Sequence, residues 1–190
     1  NSFFTEFTGH EAHSSLVESG VSANHFAGEL IYFLNRLQDE LRARARPDSE
    51  FKPAYGTINV GILQGGTAGN ILARHCLVQW EYRALPSDDP MEVFDRVQAY
   101  CQDVLLPRMR TYAPDAKIDS RPRAGVPPLV PEQHNPADAL CRHLTGANSS
   151  ASVPYAAEAG IFQKAGFHTV ICGPGDIAQA HQPNEFIETS

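Results

Sequence analysis

The 190 residues carry 15 Lys and Arg against 22 Asp and Glu, a formal net charge of -7. That balance excludes nucleic-acid backbones and anionic membrane surfaces as partners, because both need a basic face. No apolar run approaches the ~20 residues of a membrane span, and 42% hydrophobic residues fit a soluble chain of one large or two small domains. Four cysteines, Cys76, Cys101, Cys141 and Cys172, form no CxxC pair, so buried, reduced thiols of a cytoplasmic protein are expected rather than a disulfide framework or a cysteine zinc site. The start shows no charged-then-apolar leader and opens inside a strand, from which an absent upstream part is expected.

Ser2–Gly9 is rich in Phe and Thr and stops at a glycine, which predicts a strand entering the loop GHEAHSS. From Ser22, an N-cap residue, apolar side chains at Phe26, Leu30, Phe33, Leu34, Leu37 and Leu41 keep the spacing of an amphipathic helix, ending near Arg46 before Pro47. Thr57–Leu63 alternates with Ile58, Val60 and Ile62 on one face, and the turn GGTAGN follows. The next strand puts Cys76, Val78, Trp80 and Tyr82 on one face and Gln79, Glu81 and Arg83 on the other. Pro90 opens a second helix striped by Val93, Val97, Cys101, Val104 and Leu105, and a short strand spans Lys117–Ser120.

Strand, helix, strand, strand, helix, strand is the split order in which two helices cover one face of a four-stranded antiparallel sheet. The proline-rich stretch Arg121–Pro131 reads as a linker. After it come helices at Pro136–Leu144 and about Ala157–Ala165, a strand at His168–Cys172 and the loop GPGDIAQAHQPNEF. One strand cannot close an α/β layer, so the expected division is a ferredoxin-like α+β domain at 1–122 and an incomplete α/β piece at 123–190.

Several residues could carry chemistry. His13, in a loop at a strand end, could donate to a developing oxyanion or simply be a solvated histidine. The turn at Gly65–Asn70 offers amides and one carboxamide to a substrate, or is a hairpin needing glycine at positive φ. Arg83 could clamp a carboxylate with two hydrogen bonds or pair with Glu81. In the Gly173–Glu188 segment, His181 beside Pro183 and Glu185 suits a metal ligand, although zinc wants about four ligands. No GxSxG elbow, catalytic-type cysteine run or phosphate loop is present.

The runs GHEAHSSLVESGVSAN, TINVGILQGGTAGNILA, EYRALP, AAEAGIFQ and GPGDIAQAHQPNEFIE resemble the second half of the zinc-dependent family containing acetylornithine deacetylase, succinyl-diaminopimelate desuccinylase, aminoacylase and glutamate carboxypeptidase. The last run looks most like acetylornithine deacetylase. The resemblance implies a dimerising lid inserted in a catalytic domain with one or two zinc ions, cobalt being an alternative. The substrate it implies is an N-acyl amino acid, as in N-acetylornithine deacetylation for arginine biosynthesis, and the assembly a homodimer. By the same resemblance His181 is a zinc ligand and His13 the oxyanion donor that reaches the neighbouring subunit. Asn70, Arg83, Glu158, Gly173 and Gly175 would contact substrate. Gly69 and Ala157 stand where the family commonly has Ser and Thr, and the remaining ligands and general base would lie upstream, leaving this chain inactive alone. The alternative is a non-catalytic dimerisation or ligand-sensing module, a common use of ferredoxin-like domains.

Overall fold

A computed structural model describes residues 1–153, 155, 157–175, 179–180 and 182–187. The first unit, Asn1–Val126 with Ser152–Tyr155, is built on β1 (Ser2–Thr8), α1 (Ala23–Ala43), β2 (Thr57–Gly65), β3 (His75–Arg83), α2 (Glu92–Tyr100), α3 (Leu106–Arg110) and β4 (Lys117–Ala124). The four strands form one antiparallel sheet in the order β2-β3-β1-β4. This is the expected split ferredoxin-like arrangement, with β1 and β3 at the centre.

The core follows from strand and helix periodicity. Phe3, Thr5 and Phe7 of β1 and Cys76, Val78, Trp80 and Tyr82 of β3 are buried, as are Leu30, Leu34, Leu37 and Leu41 of α1. Phe3 stacks on Trp80 at 4.5 Å and on Phe94 of α2 at 4.9 Å, tying sheet to helix. Each large side chain so buried contributes at most about 1.5–3 kcal/mol.

Five expectations are corrected. In β2, the register shifts between Val60 and Ile62, so Gly61 is the extra residue of a bulge. Val60 lies opposite Trp80, but Ile62 lies opposite Gln79 and is 45% exposed; it leaves the face of Ile58 and Val60. The linker expected from Arg121 begins later, because β4 runs to Ala124. Pro122 is tolerated there since β4 is an edge strand and lacks an outer neighbour to donate to.

The second helix keeps the expected stripe at Val93, Val97, Cys101 and Leu105 but not at Val104. Cys101–Leu105 is a π turn between α2 and α3. Buried positions at 93, 97, 101, 105 and 109 would drift about 40° per step on a straight helix of 3.6 residues per turn. The wide turn absorbs that drift and the missing N–H of Pro107, and it leaves Val104 41% exposed.

The second unit is Pro127–Ala151 with Ala156–Ser190. It holds α4 (Pro136–Thr145) and α5 (Ala159–Lys164), close to the expected helices. Asn135 caps α4, its Oδ1 accepting from the amides of Ala137 at 3.0 Å and Asp138 at 3.2 Å. Gly146 ends the helix at φ 71°. No strand forms at 168–172; a strand exists only as paired backbone, and no described residue pairs with this segment. Ala159 and Gly160 alone are buried among the unit's described residues. Cys141 is half-buried and Cys172 exposed, against the expectation of buried thiols, and all four cysteines are free.

Candidate functional site

The sheet does not stop where β1 and β3 end. Gly9 donates to the carbonyl of Arg74 at 2.7 Å, Leu72 to Ala12 at 2.9 Å and Ser14 to Asn70 at 2.9 Å. His13 forms a bridge with Ile71, and His10 one with Val21. The two loops singled out from sequence, GHEAHSS and GGTAGN, are therefore zipped into one structure. Glycines permit it: Gly66 turns at φ 81°, and a Cβ on Gly65 would collide with the Asn24 side chain.

His13 is exposed at this tip. Its Nδ1 lies 3.2 Å from the Ser15 amide nitrogen and 2.8 Å from Ser15 Oγ. An amide can only donate, so Nδ1 accepts, and a neutral imidazole then carries its hydrogen on Nε2. The ring presents that N–H as a donor to whatever lies in front of it. Asn70, also exposed, is one residue from the bridge partner Ile71, so one donor ring and one carboxamide share the tip.

Arg83 is elsewhere. It closes β3, whose other end, His75, leads back to the tip; eight residue steps of extended strand separate them by roughly 25 Å. Its Nε and one terminal nitrogen donate to the two oxygens of Glu81 at 3.1 and 3.3 Å. Within one copy, Arg83 and the His13–Asn70 tip cannot touch the same small molecule.

In the second unit, exposed Glu158 precedes α5, its carbonyl accepting from the amides of Ile161 at 2.8 Å and Phe162 at 3.2 Å. Gly173 has open space around it, and Gly175 takes φ 95° with Ile187 packed beside it. His181 lies outside the described residues. Among the described residues no group of three or more His, Cys, Asp or Glu could hold a metal ion. They do not constitute a zinc site. No described helix is long and apolar enough to cross a membrane.

Two contributors escaped the sequence reading. Asn24, at the start of α1, braces the glycine turn, and Ser15 holds the His13 ring. The i, i+2 spacing of His and Ser in a loop was the only available trace of the second.

An α+β sheet-and-helix lid whose end loops present an imidazole and a carboxamide defines the class. A family model described as a peptidase dimerisation domain matches residues 2–109. The chain belongs to that M20 dimerisation-domain family. It is 30% identical over 190 residues to acetylornithine deacetylase of Myxococcus xanthus, covering 96% of this chain and 46% of that protein. To acetylornithine deacetylase of Proteus mirabilis it is 31% identical over 185 residues, covering 95% and 45%. The chain thus spans a little under half the length of these relatives. Among solved structures, aminopeptidase PepT of Bacillus cereus shares the fold with TM-score 0.60 at 21% identity, over 87% of this chain and 41% of that one. A tripeptidase of Staphylococcus aureus does so with TM-score 0.58 at 20% identity, over 88% and 41%.

Proposed function

We propose that this chain is the lid and C-terminal portion of a metal-dependent amide hydrolase that removes the acyl group from an N-acyl amino acid, most like N-acetylornithine. The observation that carries the reading is the His13–Asn70 tip. Its imidazole is exposed and has Nδ1 occupied by Ser15, which leaves the ring's hydrogen on Nε2, the form needed to donate to the oxyanion that forms when an acyl carbonyl is attacked. Asn70 binds the substrate beside it, and Arg83 binds the substrate carboxylate, exchanging Glu81 for it as a bidentate partner. Membership of the dimerisation-domain family and the kinship with acetylornithine deacetylases support both the reaction class and the substrate.

The long separation of Arg83 from the tip supports a site shared between copies: His13 and Asn70 from one lid, Arg83 from the other. The zinc ions of the family, His181 as a ligand, and Glu158, Gly173 and Gly175 near the substrate complete the proposal. Four free thiols fit a reducing, cytoplasmic setting. The 190-residue chain by itself is proposed to be inactive.

The test is His13→Ala in the protein extended upstream to the length of its relatives. Loss of an oxyanion donor should lower kcat roughly a hundred- to a thousandfold, with KM and metal content little changed. Unaltered kcat would remove His13 from the mechanism.

A further inference from the structure

We infer that Ser15 is a positioning residue that locks the His13 imidazole in its Nε2–H form. This rests on the oxyanion reading of His13 and adds the group that makes the ring competent for it. Imidazole nitrogens are interchangeable as donors until something chooses between them. Here the choice comes from one residue acting twice: the Ser15 amide N–H donates to Nδ1 at 3.2 Å, and Ser15 Oγ sits 2.8 Å from the same nitrogen. The amide has no acceptor character, so a hydrogen on Nδ1 would face another N–H. With Nδ1 accepting, the hydroxyl also donates to it, and the ring's single hydrogen is left on Nε2.

The backbone around the ring is fixed independently. Ser14 N–H donates to the Asn70 carbonyl at 2.9 Å, and Leu16 N–H to the His13 carbonyl at 2.8 Å. Ser14, next to His13, therefore has its amide committed to the opposite loop, and Ser15 is the residue whose two donors both reach Nδ1. The hydroxyl is the separable part: substitution removes it while the amide stays.

The test reads the tautomer directly. In the 15N-labelled 190-residue chain, at alkaline pH where imidazoles are neutral, long-range proton–nitrogen correlation of the histidine rings should show His13 protonated on Nε2 alone. The signal is assigned by its loss in His13→Gln. Ser15→Ala, in which only the amide still donates, should move the Nδ1 resonance toward that of an unbonded imidazole nitrogen, and Ser15→Thr should restore it. A wild-type ring protonated on Nδ1, or an Nδ1 resonance unmoved in Ser15→Ala, would overturn the inference. Neither result depends on turnover, so failure here leaves the oxyanion reading standing, and failure of His13→Ala to slow the enzyme leaves the Ser15 result standing.

Discussion

Thr5 stands in the middle of β1 between Phe3 and Phe7 and is fully buried. Its Oγ1 accepts from the Trp80 indole at 3.1 Å and from Ser120 Oγ at 3.2 Å, so a polar residue in the core satisfies the one polar atom of the largest core side chain. Thr5→Val keeps the volume but strands the indole N–H. It should cost about 1–3 kcal/mol, read from the denaturant midpoint; a change within a few tenths would mean that Trp80 finds another acceptor. Two further buried groups set the alkaline limit. Burial pushes the Cys101 thiol and the Tyr82 phenol up to about 12. In the unfolded chain they ionise near 8.5 and 10, so the folded state holds protons that the unfolded state releases. Stability should be intact below about pH 8 and decline as pH rises from there toward 12, seen as a falling thermal midpoint. A midpoint flat to pH 11 would contradict this. Thr5 itself was not legible from sequence as a core acceptor, because its partner Trp80 is 75 residues away.

Among the elements, the sheet and α1 were readable because strict periods of two and of three to four survive in β1, β3 and α1. The departures are local breaks in those periods. Gly61 shifts the phase of β2 and carries Ile62 to the other face. The π turn resets the phase of the second helix. Pro122 reads as a strand breaker but occupies an edge where its missing N–H is harmless. None of these breaks announces itself in a single sequence, since each depends on which neighbour is present. The two edges also differ in chemistry. β4 shows Lys117, Asp119, Arg121 and Arg123 along with Pro122, features that discourage strand addition. β2 shows Ile62 at 45% and Leu63 at 56% exposure, so it is the edge proposed to pair with a second copy. If that pairing forms, Ile62→Lys with Leu63→Lys should abolish it and leave monomer in sedimentation while the helical and sheet content stays unchanged. A dimer of undiminished strength would move the interface elsewhere.

At the scale of the whole molecule, the candidate site was partly legible. His13, Asn70 and Arg83 could be picked out as residue types at strand ends, but their grouping could not, because it is a matter of sheet register. Zipping of the two loops unites His13 with Asn70, while the length of β3 sends Arg83 away. For both ends to hold one substrate the site must be built from two copies, and mixing experiments address this. In the upstream-extended protein, His13→Ala and Arg83→Ala should each be nearly inactive. If the two variants are denatured together and refolded as a mixture, half of the pairs are mixed, and one site in each mixed pair has both side chains intact. About a quarter of wild-type activity should therefore return. No recovery beyond that of the separate variants, with mixed dimers demonstrably formed, would contradict a site built from two copies.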